Sequence, residues 1–377
     1  MKKHFVSIIV FLGLFVSDSF AATIYVTPNG TGNGTSWADA IGVLQLAINK
    51  ALVGDQVWVA VGMYKPTIEV GGTGDRFKTF QMKNGVAIYG GFAGTETALE
   101  QRNPETYETI LSGDIGTQGD KRDNCYHVFY HTADLNLDAT AVLDGFTVTA
   151  GRSDFKALGA GMYNADSSPK IINCDFKDNW SFHFGGGMYN DSSSPTVIGC
   201  SFINNTAIND GEPYYQGSGG GMYNSSSSPI VTDCRFIDNY ACDAGGGIMD
   251  THSSNATITG CTFRGNSTGL VGPGMCIGND SISAVIDCIF SNHSLPQRHG
   301  VIYIPPGCML FIENTVFCQN GTTALGFLDD DSSAAFRWDG NYAVRTTCDS
   351  IEGDLDGDGD VDFDDFAKLA SNWLVGK

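Results

Sequence analysis

Positive charge is scarce in this 377-residue chain: 21 Lys and Arg stand against 42 Asp and Glu, a formal net charge of -21. Nucleic acid and anionic membrane surfaces repel such a chain, which argues against both as partners. Long apolar runs are almost missing as well. Residues 5–16 form one, and it is too short to span a bilayer. No segment of the repeats carries a helical period, Leu does not recur at fixed places, and the repeated units are too short for propeller blades. Helical arrays, leucine-rich repeats and β-propellers are thereby set aside.

The short apolar run lies between Met1-Lys2-Lys3-His4 and Ser19-Phe20-Ala21. A basic start, a brief apolar core and small residues at its end predict a signal peptide over residues 1–21, cleaved after Ala21. The plainer alternative is an uncleaved N-terminal anchor. The expected protein is exported by a bacterial route, secreted or held at the cell surface, with no membrane span in the mature chain.

What is abundant is Gly, at 48 residues, and a repeat. Cys174-Asp-Phe176, Cys200-Ser-Phe202, Cys234-Arg-Phe236, Cys261-Thr-Phe263, Cys288-Ile-Phe290 and Thr315-Val-Phe317 recur at steps of 26, 34, 27, 27 and 27 residues. Three residues beyond each Phe stand Asn179, Asn205, Asn239, Asn266, His293 and Asn320. Upstream of the first four lie Gly159-Ala-Gly-Met162-Tyr-Asn, Gly185-Gly-Gly-Met188-Tyr-Asn, Gly219-Gly-Gly-Met222-Tyr-Asn and Gly245-Gly-Gly-Ile248-Met-Asp. A unit of this length, made of two or three short alternating strands, cannot bury its own apolar side. Stacking units at the strand spacing of about 4.8 Å gives each a neighbour on both sides and turns identical residues into columns. Cys and Phe, two apart, both point inward; the Asn column sits at a bend, where amides bond one another and the turn backbone.

Residues 56–61, 86–92 and 143–148 read as further strands. Before them, Ser36 and Asp39 form a capping-box-like pair. Trp37, Ala40, Ile41, Leu44, Ala47, Ile48, Ala51 and Leu52 then make one apolar stripe that ends at Gly54. One helix there would cover the open end of the coil. Eleven Cys leave at least one thiol unpaired. The five of the column read as core fillers, since disulfides between stacked neighbours would be strained and no His lies at zinc-ligand spacing.

On these blocks the chain resembles polymorphic outer-membrane-protein repeats and the pectate-lyase-like superfamily. The resemblance implies an all-β, right-handed parallel β-helix over residues 22–345, and it leaves function open, because that architecture serves lyases, hydrolases, adhesins and passive stalks alike.

The acids crowd at the end. Asp354, Asp356, Asp358, Asp362 and Asp365 fall at positions 1, 3, 5, 9 and 12 of an EF-hand loop, with Gly359 at the sharp turn and Asp360 offering its carbonyl. Calcium is the expected ion; the plainer alternative is a solvated acidic tail. Phe366, Leu369, Ala370, Trp373 and Leu374 line one face of a following helix. Residues 346–377 thus resemble one type I dockerin repeat, which implies a cohesin-like or other surface-anchoring partner. That family carries two repeats, and this segment holds one.

The segments following the Asn column are the variable connections. Stacked in order, they set Trp180, His183, Asp210, Glu212, Tyr214, Tyr215, Tyr240 and Asp243 along one side. Aromatic rings beside carboxylates suit sugars: Trp180, His183, Tyr214, Tyr215 and Tyr240 are the candidate ligand-binding residues, and Asp210, Glu212 and Asp243 the candidate acid and base of a hydrolase. A lyase would instead need calcium carboxylates and a base, for which Arg152 and Lys156 are the nearby cations. The plainer reading is a set of solvated loop residues. Tyr163, Tyr189 and Tyr223 form an outward column, either cover for the sheet or a sugar platform. The expected role is carbohydrate-associated binding or adhesion. The alternatives are a polysaccharide lyase or glycoside hydrolase, and a passive structural repeat protein.

Overall fold

The computed structural model describes residues 21–154, 158–209, 217–294, 300–318 and 320, together with the backbone of strands Leu325–Phe327, Ala335–Trp338 and Tyr342–Arg345. The signal-peptide and EF-hand expectations therefore lie outside the described residues, apart from Ala21. The chain is a right-handed parallel β-helix. Three long parallel sheets of 11, 10 and 8 strands run its length, and a short ladder of 4 strands runs beside them. Each central coil adds one strand to each long sheet: Lys170–Ile172, Asp175–Lys177 and Met188–Asp191 belong to one coil, with Trp180–Ser181 in the short ladder.

The columns are in register. Phe176 pairs with Phe202, Phe202 with Phe236, Phe236 with Phe263, Phe263 with Phe290, and Phe290 with Phe317. Their rings stack at 4.4–5.1 Å, tilted by at most 14°, and all are buried. The Cys column is buried beside them, and its thiols are free. Each cysteine N–H but the last faces the sulfur of the next coil, from Cys174 N to Cys200 Sγ at 3.4 Å onward, and Cys288 N–H faces Thr315 Oγ1. Burial pushes the Cys200 and Cys261 thiols well above their ordinary range, so they stay protonated fillers.

The bend carries the amide column. Asn205 Nδ2 donates to Phe176 O at 2.8 Å and to Asn239 Oδ1 at 3.0 Å, and Asn239 Nδ2 repeats this to Phe202 O and Asn266 Oδ1. A second amide column lies inside the eight-stranded sheet, formed by Asn164, Asn190 and Asn224 and closed by Asp250. Ser193, Ser227, Ser254 and Ser281 each accept the N–H of the Ser one coil earlier, at 2.9–3.1 Å. These buried amides and serines thus find many of their partners in neighbouring coils.

The Gly-rich block is required by close approach. A Cβ on Gly187 would stand 2.5 Å from Gly221 O and 2.9 Å from Phe202 Cδ1, and Gly185 has φ +65°. Before each member of the Cys column comes a left-handed corner, at Asn173, Gly199, Asp233, Gly260, Asp287 and Asn314. These residue types tolerate that conformation.

The expected N-terminal helix is two pieces, a 3-10 turn Trp37–Asp39 and an α-helix Leu44–Lys50. Ile41 breaks them apart: its N–H donates to Tyr25 O at 2.9 Å and its carbonyl accepts from Thr27 at 3.0 Å, so the first strand claims its backbone. Ser36 does cap Asp39 N, at 3.3 Å. Leu44, Ala47, Ile48 and Ala51 join the core at the end of the coil, whereas Leu52 is exposed. The strand expected over residues 143–148 is likewise two strands, Val142–Asp144 and Thr147–Thr149, divided at Gly145 with φ +82°.

Candidate functional site

The short four-stranded ladder positions the residues that follow the Asn column. Trp180, Thr206, Tyr240 and Ser267 are in register, each one position past its Asn, and the next residues Ser181, Ala207 and Ala241 point inward and are buried. Alternation therefore turns Trp180 and Tyr240 outward on one face. Two rungs separate them, about 10 Å along the coil axis. Tyr240 is 39% exposed. Phe182 meets the Trp180 ring edge-on at 4.5 Å, and the Arg152 guanidinium lies 3.8 Å from its centroid.

Beside Trp180 opens a cavity of about 370 Å³, bordered by Arg152, Asp178 and Asn204 and by the loop over residues 113–124. Arg152 has no carboxylate partner among the described residues. Burial, and then the Arg76 charge, lower its pKa. Arg76 itself is committed to Asp154 at 2.8 Å and to the carbonyls of Asn124 and Arg152.

Two expected members leave this face. His183 is 3% exposed. After Trp180 the chain folds inward: Ser181 Oγ donates to Phe184 O at 2.9 Å, and Phe184 stacks on Tyr223 at 4.4 Å. His183 is thereby tucked under the surface and corrected from a ligand-facing residue to a packed one. Asp243 is 9% exposed. Its N–H donates to Gly217 O and its carbonyl accepts from Val271, at a corner away from the Tyr240 face, and burial raises its pKa. Asp210, Glu212, Tyr214, Tyr215 and Lys156 lie outside the described residues, as do Asp354, Asp356, Asp358, Asp360, Asp362 and Asp365.

Along the tyrosine column Tyr163 and Tyr189 meet at 5.1 Å with rings tilted by 39°, and Tyr189 and Tyr223 stack at 5.3 Å. Phe184 covers the last two, which are 7% and 5% exposed. Cover for the sheet is thus what this column provides there.

A second concavity went unread in the sequence. A groove of about 990 Å³ runs along the outer face of the ten-stranded sheet, walled by residues 99–108. Glu108 accepts from Lys177 Nζ and Thr147 Oγ1, both at 2.8 Å, and those bonds hold its pKa below the usual range. Arg102 pairs with Asp144 at 2.7 Å behind the wall. The residues flanking each inward Phe, such as Asp175, Ser201 and Arg235, form the floor. Strand alternation could have found that floor; the wall lies outside the repeat.

A family model described as "Right handed beta helix region" matches residues 135–273. No curated protein matches the chain. Among solved structures the chain is similar to a pectate lyase, with 14% identity, 90% of this chain and 84% of that one covered, and a TM-score of 0.48. It is similar to a rhamnogalacturonan lyase, with 12% identity, 88% of each chain covered and a TM-score of 0.42. An alginate lyase from Paenibacillus sp. str. FPU-7 shows 12% identity, with 86% of this chain and 98% of that one covered and a TM-score of 0.40. At such identities and TM-scores these likenesses carry no argument about function, and the right-handed parallel β-helix stands on the sheet topology and the family model instead.

Proposed function

We propose that this chain is an exported carbohydrate-binding β-helix that holds a polysaccharide against the Trp180–Tyr240 face. The observation that carries the reading is the placement of two outward aromatic side chains, two rungs apart on one rigid ladder, with Thr206 between them. Aromatic faces pack on the apolar faces of sugar rings, and Thr206, Asp178 and Asn204 border the same cavity with hydrogen-bonding groups. Repeating coils offer such a row without needing a deep pocket. In the same reading the segment over residues 346–377 binds calcium through Asp354, Asp356, Asp358, Asp360, Asp362 and Asp365 and attaches the protein to a cohesin-like or surface partner.

The test is a polysaccharide array probed with residues 22–377, in calcium and in chelator, scoring retention and released reducing or unsaturated ends. Retention without products is the expected result. Trp180→Ala and Tyr240→Ala should each weaken it about tenfold, roughly 1.4 kcal/mol per ring. Retention that ignores both substitutions sinks this face as the site.

One observation favours a second reading, a polysaccharide lyase. Arg152 stands at the Trp180 cavity with no carboxylate partner among the described residues, so its guanidinium is open to a substrate carboxylate, whose charge a lyase must neutralise. Unsaturated ends released by the wild type and lost in Arg152→Lys would establish it.

A further inference from the structure

The loop over residues 113–124 follows strand Thr109–Ser112 and is pinned at its base, where Gly113 O accepts the N–H of Cys125 at 2.8 Å. Two backbone bonds hold its acids rigidly. Gly119 N–H donates to Asp114 Oδ2 at 3.0 Å, and Thr117 N–H donates to Asp123 Oδ2 at 2.8 Å. The other oxygen of each, Asp114 Oδ1 and Asp123 Oδ1, is sunk from solvent without a hydrogen-bond partner. Asn124, 5% exposed, commits its Nδ2 to Ala150 O at 2.8 Å and leaves its Oδ1 buried and unpartnered in the same way. Asp114 and Asn124 border the cavity beside Trp180. Asp123 faces into the loop, where a Cβ on Gly116 would stand 2.8 Å from its Oδ1.

Three buried acceptors within eleven residues, with no donor turned toward them, are costly as they stand. Other described residues with such an atom contribute it singly rather than as a set of carboxylate and amide oxygens. Calcium answers acceptors of this kind, because it takes six to eight oxygen ligands from carboxylates, side-chain amides, carbonyls and water. Each carboxylate is already anchored through its second oxygen, so little order remains to be imposed. We propose that the loop over residues 113–124 binds a calcium ion through Asp114, Asp123 and Asn124, and that the ion stiffens the wall of the cavity next to Trp180. This site is separate from the one expected in the acidic tail, and it does not depend on the sugar reading.

The experiment uses the full mature chain, stripped with chelator, and counts bound radioactive calcium by equilibrium dialysis. The wild type is compared with Asp114→Asn/Asp123→Asn and with a tail variant, Asp356→Ala/Asp358→Ala, and all four substitutions are then combined. The expected result is one calcium lost in Asp114→Asn/Asp123→Asn, in the wild-type and tail-variant backgrounds alike. Equal stoichiometry with and without the loop substitutions overturns the proposal and leaves the three oxygens to water. Should the double variant fail to fold, Asn124→Asp decides. An added ligand charge should tighten calcium binding several-fold, and an unchanged or weakened affinity overturns the site. Terbium supplies the location: its emission, excited through Trp, should fall in Trp180→Phe and persist in the tail variant.

Discussion

Replacing Asp250 by Asn should stabilise this protein at neutral pH. Asp250 closes a hydrogen-bonded chain buried in the eight-stranded sheet. Met82 N–H donates to His131 Nε2 at 3.3 Å, which leaves the ring proton on Nδ1, donating to Asn164 Oδ1 at 2.6 Å. Asn164 donates to Asn190 at 2.8 Å, Asn190 to Asn224 at 2.8 Å, and Asn224 to Asp250 Oδ1 at 2.7 Å. Ser283 Oγ donates to Asp250 Oδ2 at 2.6 Å. Desolvation is the largest influence on Asp250 and raises its pKa from 3.8 to about 6, against those two bonds. The folded state therefore holds a proton that the unfolded state has released between those values. The stabilising contribution is full below pH 3.8 and is lost as pH rises to about 6. The shift of about two units amounts to roughly 3 kcal/mol of penalty at pH 7, an upper figure. Asparagine repeats what stands in the three preceding coils, keeps the bond from Asn224 and carries no charge. Asp250→Asn should gain about 1–3 kcal/mol at pH 7 and little or nothing at pH 3.5. The assay is the urea midpoint of both proteins across that range. His131 and His293, whose pKa values burial lowers to about 4, destabilise the fold as acid charges them. Both are common to the two proteins and largely cancel in the difference. A variant less stable at pH 7, or a difference that does not change with pH, refutes the reasoning.

Asn239→Ala removes an acceptor for Asn205 N–H and Nδ2 and a donor to Phe202 O, so it should cost roughly 3–5 kcal/mol, read as a fall in urea midpoint. Gly187→Ala should abolish the folded state, because the new methyl meets Gly221 O at 2.5 Å. Gly54→Ala, with nothing within 4 Å of its Cβ but φ +94°, should cost only about 1–2 kcal/mol. Circular dichroism and thermal melts of the pair separate close packing from backbone conformation.

The coil was legible because stacking makes position and environment the same thing: a residue that suits the interior of one coil suits it in the next. Cys174 to Cys288, Phe176 to Phe317 and Asn179 to Asn320 therefore repeat, and their burial follows from alternation. The inward amide column was equally present in the Met-Tyr-Asn block, since Met162 inward and Tyr163 outward put Asn164 inward again. The left-handed corners were hidden because that conformation accepts several residue types, so Asn173, Gly199 and Asp233 form a column of geometry rather than of letters. The same distinction governs the candidate site. Trp180 and Tyr240 stand one residue past Asn179 and Asn239, whose amides fix the phase of the ladder, and both lie in register on it. His183 and Asp243 stand four residues past, where no repeated contact maintains phase, and beside His183 the stacking of Phe184 on Tyr223 takes over. Residues 99–108 and 113–124 lie outside the repeat altogether. Their acids become meaningful only when Gly113 O, Gly119 N and Thr117 N are seen to hold them. In a solenoid, then, the columns report what keeps the coils together, whereas the chemistry that distinguishes one solenoid from another is carried where the columns stop.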